Sequence, residues 1–245
     1  MENATTIALS RLVAQQRSMD VTAGNIANAG TPGFRTERMM FSDFLVRQRG
    51  GATPGDSTLV YAQDRATYRD RQPGPLTRTA NPLDLAIGGD GYFTVGTPTG
   101  PRLTRAGHFG LAADGTVVDD SGSPLLDAGG QPIRTSPADT VLKVTGDGVL
   151  ASENGPIATI GVVTPADPLR LKNEGGRLAS ASDTSTAKTP DPRVMQGAIE
   201  ESSVQPTLEV TRMMTELLEF QFVTQFIQGE GDRQQGAIDK ILRRG

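Results

Sequence analysis

The two ends of the chain carry a helical rhythm of apolar positions, and the middle carries an alternating one. In residues 1–28, Ala8, Leu12, Gln15, Met19, Thr22 and Ile26 recur at spacings of four and three, which places them along one seam of a helix. In residues 206–242 the same rhythm runs through Val210, Met213, Leu217, Phe220, Thr224, Ile227, Gly231, Gln234, Ile238 and Ile241, with Met214, Leu218, Phe222 and Phe226 in a second row beside it. A lone helix in water buries nothing, and each buried Leu, Ile, Met or Phe contributes about 1.5–3 kcal/mol, so both stripes require a partner. That partner is either the other end of the same chain or the helices of neighbouring chains. Leu12, Met19 and Ile26, with Val210, Met213, Leu217, Phe220, Ile227, Ile238 and Ile241, form the candidate assembly interface.

Between the ends the period changes. Ala29-Gly30-Thr31-Pro32-Gly33 stops the first helix, with Gly30 suited to a left-handed cap and Pro32 unable to continue it. Residues 35–74 read as a partly extended arm or connector, closed by Pro73-Gly74-Pro75. Leu83, Leu85 and Ile87 then alternate with Asp84 and Ala86, and Gly88-Gly89-Asp90-Gly91 leads into Tyr92-Phe93-Thr94-Val95, the pattern of a hairpin. Further strands are expected at 102–104, 108–111, 116–118, 141–144, 149–151, 157–163 and 169–171, separated by turns such as Asp114-Gly115, Asp147-Gly148 and Asn154-Gly155. Short strands at this spacing predict an antiparallel barrel or sandwich. The fold class is therefore α+β: N- and C-terminal helices paired like a coiled coil, and a central β domain. The expected divisions are 1–34 (helix and turn), 35–74 (connector), 75–179 (β domain), 180–205 (a Ser/Thr/Pro-rich linker) and 206–245 (terminal helix). Gly30, Pro32, Gly33, Gly88, Asp90 and Gly91 are the expected structural turn residues.

Composition narrows the function. Cysteine is absent, which removes disulfides, thiol nucleophiles and thiolate metal sites. The net charge of -4 and the lack of a basic stripe with interleaved aromatics exclude a nucleic-acid partner as the expectation. No stretch approaches the roughly 20 apolar residues of a membrane span. Arg11, Gln15, Gln16 and Arg17 interrupt the apolar runs of the first segment, so no cleavable signal peptide is expected. The one histidine, His108, lies on an expected strand without a nucleophile elbow. Asp84, Asp90, Asp119 and Asp120 fit no calcium loop, and no phosphate-binding glycine motif is present. With no tryptophan and 4% aromatics there is little to stack a sugar against. No catalytic, cofactor or metal residue is expected; a secreted carbohydrate-acting enzyme or a β-rich binding module is the alternative from another class.

Three stretches go further: Asn25-Ile26-Ala27-Asn28-Ala29-Gly30-Thr31-Pro32-Gly33-Phe34-Arg35, Asn81-Pro82-Leu83-Asp84-Leu85-Ala86-Ile87-Gly88-Gly89-Asp90-Gly91-Tyr92-Phe93, and Thr104-Arg105-Ala106-Gly107-His108-Phe109. In order and spacing they resemble the signatures of the bacterial flagellar rod and hook family. The length and the opening Leu12 to Asp20 look most like the proximal-rod members, with distal-rod members the nearest alternative. The resemblance implies a nonenzymatic axial subunit that leaves the cytoplasm through the flagellar type III export apparatus without a cleaved signal. It would assemble in the periplasm with itself and with other proximal- and distal-rod subunits, terminal helices inward and β domain outward. The chain departs from the family at Glu219-Phe220, where the resemblance implies an arginine beside the aromatic. Gly229, Gly231 and Gly236, each costing about 1 kcal/mol relative to alanine, are expected to interrupt the last helix.

Overall fold

The computed structural model describes residues 2–47, 58–70 and 72–242. In chain order the elements are α1 (Glu2–Ala27), β1 (Glu37–Arg47), β2 (Thr58–Arg69), β3 (Leu76–Arg78), β4 (Leu85–Ile87), β5 (Tyr92–Thr97), β6 (Gly100–Thr104), β7 (Phe109–Leu111), β8 (Val117–Asp119) and β9 (Lys143–Val144). They continue with β10 (Val149–Ser152), β11 (Gly155–Thr159), β12 (Val162–Pro165), a 3-10 turn (Pro168–Arg170), β13 (Lys172–Glu174), β14 (Leu178–Ser180), β15 (Thr186–Lys188), β16 (Val194–Gln196), β17 (Ala198–Glu200) and α2 (Pro206–Leu242). The chain is α+β and folds as two compact units. One holds α1, the β1–β2 hairpin and α2; the other holds residues 28–36 and 71–204.

In the helical unit β1 and β2 pair antiparallel from Glu37↔Arg69 to Arg47↔Thr58, with an irregularity between Met40 and Phe41. The connector expected to be partly extended is thus a long hairpin, in keeping with the strand-favouring residue types Phe41, Phe44 and Val46. α2 runs without a break through Gly229, Gly231 and Gly236, against the expected interruption. Neighbouring Glu230, Arg233, Gln234 and Gln235 are sound helix formers, and Arg233 donates to Glu230 at 2.7 Å one turn away. No helix among the described residues is long and apolar enough to cross a membrane.

The β-rich unit is built from open antiparallel sheets, not a closed barrel. Its largest sheet has the order β13-β14-β6-β5-β12-β15 and ends in free edges at β13 and β15. β9, β10 and β11 form a second sheet, and β4–β16, β3–β17 and β7–β8 pair in twos. The core gathers Leu85, Ile87, Phe93, Val95, Phe109, Val117, Leu125, Ile133, Leu150, Ile160 and Val162. Phe93 and Phe109 meet edge to face with ring centroids 5.5 Å apart, the geometry that places a positive ring edge on a negative face.

Four local expectations change. β4 and β5 do not form a hairpin with each other: β4 pairs with β16, while β5 lies between β6 and β12. The edges of β4 are taken by other segments, with Leu85 N donating to Gly107 O at 2.8 Å and Gly88 N to Arg193 O at 3.0 Å, while the Arg105 guanidinium donates to Ile87 O at 3.2 Å and to Gly89 O at 2.6 Å. The expected strand at 169–171 is instead the 3-10 turn, started by Pro168 and capped by the Asp167 carboxylate on Leu169 N at 3.0 Å. The expected 157–163 strand divides into β11 and β12, because a Cβ at Gly161 would lie 2.7 Å from Asp127 O and only a glycine permits that approach. Residues 180–205, expected as a linker, carry β15, β16 and β17; alternation there is short, but Val194, Ala198 and Glu200 all face the interior.

The loop before β9 is tied to the β10–β11 turn by carboxylates. Glu153 accepts from Thr140 Oγ1 at 2.7 Å, Thr140 N at 2.8 Å and Val141 N at 3.0 Å. The Thr140 hydroxyl first, and its amide next, hold the Glu153 carboxyl at about 2, below its ordinary 4.5. Because the folded value is depressed, this tie is fully present above pH ~4.5 and is lost as the pH falls toward ~2. The Thr140 and Val141 amide resonances should therefore titrate with a midpoint near 2. A midpoint at 4.5 would show that these bonds do not form in solution.

Candidate assembly site

Two polar arrangements organise the parts of the chain that the sequence marks for assembly. The first lies in the β-rich unit, where the three motif stretches converge. Gly33 N donates to Glu200 O at 2.7 Å, Ser203 N to Phe34 O at 3.0 Å and Thr36 N to Ser203 Oγ at 3.0 Å, so the segment after α1 lies along the segment before α2. Phe34 is buried beneath them. Glu200, 1% exposed, receives Arg105 Nη1 at 3.0 Å and lies 3.6 Å from Arg35 Nη2. The two guanidinium carbons sit 5.3 Å (Arg105) and 5.9 Å (Arg35) from the centroid of the Tyr92 ring. One carboxylate thus faces two buried cations, and the ring's negative face offsets part of the excess charge. Burial pushes the Arg105 guanidinium below its usual value while Glu200 pulls it back up; arginine remains charged throughout.

The expected turn residues divide by role. Gly33 has φ +71° and its missing Cβ would fall 2.2 Å from the Arg105 carbonyl carbon. Gly30 faces open space and takes no positive φ, so the left-handed cap expected there does not form; the left-handed glycine of this segment is Gly33, six residues past the helix end. Pro32 occupies the turn between Thr31 and Gly33. Gly91, at φ +133°, passes against Val162 and Thr189; Gly88 lies close to Arg193 O, while Asp90 is exposed. His108 Nδ1 meets buried Asp84 Oδ1 at 2.6 Å, and Asn81 donates to the same oxygen at 3.0 Å, fastening the 81–84 turn to the start of β7.

The second arrangement is the helix pair of the other unit. Gln15, Thr22 and Asn25 of α1 are buried and hydrophilic. Ser18 Oγ donates to Glu216 Oε1 at 2.7 Å, Thr22 Oγ1 to Glu216 Oε2 at 3.0 Å, and Gln15 Nε2 to Glu219 Oε2 at 3.2 Å. Asn25 Nδ2 reaches Glu209 Oε2 at 3.2 Å and also clamps the Glu37 backbone, accepting from its N and donating to its O at 2.9 Å each. Arg38 completes the buried Glu209 site at 2.8 Å. Toward the N-terminal end of α1 the seam turns apolar, lined by Ile7, Ala8, Phe222, Val223 and Phe226.

The candidate interface residues are therefore not gathered inside this pair. Leu12, Met19, Ile26, Met213, Phe220 and Ile227 are half-buried, and Val210 and Leu217 are exposed. The side chains of Ile238 and Ile241 lie outside the described residues. Met214, Leu218, Phe222 and Phe226 are 54–68% exposed and present a continuous apolar row. The sequence reading placed Gln15 and Thr22 on the α1 seam but missed the carboxylates that organise both arrangements. Arg35, Tyr92 and Arg105 stood inside the motifs, but nothing in the local pattern of Glu200, Glu209 or Glu216 marks a buried or shared carboxylate.

Comparison with known proteins agrees with this architecture. Residues 6–35 match the flagella basal body rod protein family and residues 86–165 match the flagellar hook protein FlgE/F/G D1 domain. The flagellar basal-body rod protein FlgF of Caulobacter vibrioides is 32% identical over 243 residues, 98% of each chain. FlgF of Mesorhizobium japonicum is 35% identical over 218 residues, 87% of each chain. The rod protein FlgG of Bacillus subtilis is 29% identical over 228 residues, 84% of this chain and 86% of its own. A near full-length match to FlgF proteins, across both the helical ends and the β-rich middle, means that this chain belongs to the FlgF family of flagellar basal-body rod proteins.

Proposed function

We propose that the chain is a nonenzymatic structural subunit of the proximal part of the flagellar rod, polymerising through its terminal helices with its own copies and with adjacent rod subunits. Family membership supports the rod role, and the observation that carries the mechanism is the apolar row of α2. Met214, Leu218, Phe222 and Phe226 stay exposed beside a helix seam already joined by side-chain hydrogen bonds. Covering such side chains contributes about 1.5–3 kcal/mol each, and many weak contacts in a helical array sum to a stiff shaft able to transmit torque. The distal-rod alternative is less favoured, since the FlgG relatives match at lower identity and over less of the chain than FlgF of Caulobacter vibrioides. Passage through the flagellar export apparatus without a cleaved signal, and assembly in the periplasm, belong to the same proposal. No chemical step is assigned, because the relatives are named as rod proteins.

Leu218→Asp and Phe222→Asp should abolish incorporation of the chain into isolated basal bodies, while Leu217→Asp and Phe220→Asp test the row first inferred from spacing. An unpaired charge in a dry helix contact costs several kcal/mol. Thermal unfolding of the β-rich unit should be unchanged in all four. Normal rods in the Leu218 and Phe222 variants would remove that row from the interface; absence of the labelled parent chain from basal bodies would remove the rod reading itself.

A further inference from the structure

The seam between α1 and α2 has a direction. Every hydrogen bond described across it runs from a neutral donor on α1 to a carboxylate on α2: Gln15 to Glu219, Ser18 and Thr22 to Glu216, Asn25 to Glu209. On α1 the four donors follow the three-four-three spacing of one helix face, and on α2 Glu209 and Glu216 are one heptad apart. We infer that this one-way polar seam selects α1 as the partner of α2 and sets the register of the pair. The inference goes beyond the rod reading and stands without it, because it concerns the two helices alone.

Strength is not what the seam adds. Exchanging water for hydroxyl and amide donors returns little net stability to a carboxylate that must be desolvated. What the seam changes is the cost of every alternative. Two copies of α2 meeting on this face would bring Glu209, Glu216 and Glu219 toward carboxylates of the same sign, a repulsion that Arg212, which lines the same groove, offsets only in part. Two copies of α1 would leave amides and hydroxyls without their charged acceptors. Sliding α2 by one heptad so that Glu216 faces Asn25 would set Val223 against Ser18 and Thr22, exchanging their charged acceptor for the weaker carbonyls of their own helix, the kind Ser10 and Thr224 use. The apolar contact of Ile7, Ala8 and Val223 at the end of the seam supplies burial but no such penalty.

This matters because α2 also carries an exposed apolar row, which attracts any other helix indiscriminately. A helix with one selective face and one unselective face can pack against many neighbours without exchanging its α1 partner for another α2. The seam does not itself distinguish the chain's own α1 from a neighbour's; the covalent link does that by raising the local concentration of the chain's own helix.

The absence of cysteine allows a direct test in the full chain, since introduced thiols have no competitors. Arg11 and Val223 line the same groove, so Arg11→Cys/Val223→Cys reports the register described here. Arg11→Cys/Glu230→Cys reports a slip of one heptad, and Val223→Cys alone reports α2 against α2 through an interchain disulfide. Oxidation yields are compared in the parent, Glu216→Gln, Glu216→Leu and Ser18→Ala/Thr22→Ala backgrounds. Glu216→Gln, which can still pair with both hydroxyls, should keep the parent register. In Glu216→Leu and in the double alanine variant the slipped crosslink should gain about tenfold on the native one, the ratio set by ~1.4 kcal/mol of lost preference. The interchain crosslink should rise with it in Glu216→Leu. Alanine is the strongest helix former, so α1 persists in the double variant. An unchanged crosslink distribution there overturns the inference whatever Glu216→Leu does.

Discussion

Glu200→Ala should destabilise the β-rich unit by about 3–5 kcal/mol, the usual consequence of leaving buried charges without their partner. The carboxylate is 1% exposed and is the counterion described for both Arg105 and Arg35. Removing it leaves Arg105, itself 2% exposed, with only the carbonyls of Ile87 and Gly89 and the face of Tyr92. For a unit of this size each kcal/mol moves the midpoint by ~2–4 °C, so calorimetry should record a fall of roughly ten degrees or more. Glu200→Gln should lie between parent and alanine, since an amide can still accept from Arg105 but brings no charge. Asp191→Ala is the natural control: the Arg193–Asp191 pair has a similar length, 3.0 Å, but side chains 70% and 64% exposed. Exposed pairs contribute about 0–1 kcal/mol, and that variant should melt with the parent. If Glu200→Ala also melts with the parent, the two cations are solvated in solution and the convergence of the three motifs is not held by charge.

Much of this architecture can be read from one-dimensional patterns because those patterns are local. The three-four spacing at both ends marks α1 and α2, and the glycine turns of the middle mark most of its short strands. The partner of a strand is not local. Leu83 to Ile87 and Tyr92 to Val95 look like two arms of a hairpin, yet Ile87 pairs with Val194, more than a hundred residues away in sequence. The groups that occupy the 85–89 backbone, Gly107 O, Arg193 O and the Arg105 guanidinium, all come from segments distant in sequence.

The candidate site shows the same division. Hydrophobic spacing locates the helix faces but does not say which one closes on its own chain. Apolar weight alone would choose the row of Val210, Leu217 and Phe220. The molecule instead closes on Gln15, Ser18, Thr22 and Asn25 against three glutamates, a polar face that resembles a solvated one in sequence. Glu219 falls on this face and accepts from Gln15. Glu200 is hidden for a related reason: it alternates with Ile199 in β17, and nothing nearby shows that two arginines from distant motifs lie beneath it.

Gly33→Ala should be among the most damaging single substitutions in the chain, and Gly30→Ala among the mildest, although the two glycines lie three residues apart in one motif. At Gly33 the backbone is left-handed, with φ +71°, a conformation that costs an L side chain about 1–2 kcal/mol. Sterics add more. An alanine Cβ would meet Arg105 C at 2.2 Å, Ala106 N at 2.4 Å and Arg105 O at 2.6 Å, all backbone atoms that cannot rotate away. To make room, the 33–36 segment would have to retreat from Arg105, stretching the Gly33 N to Glu200 O bond of 2.7 Å and drawing Arg35 away from Glu200. Strain and lost pairing together should exceed ~4 kcal/mol, the range reserved for disruption at special backbone positions. At Gly30 nothing lies within 4 Å of the added methyl, and φ is not positive. There the substitution should shift stability by no more than about 0.5 kcal/mol. Denaturant unfolding of the two variants beside the parent checks both values; equal midpoints for all three would show that residues 28–36 are not seated against Arg105 in solution.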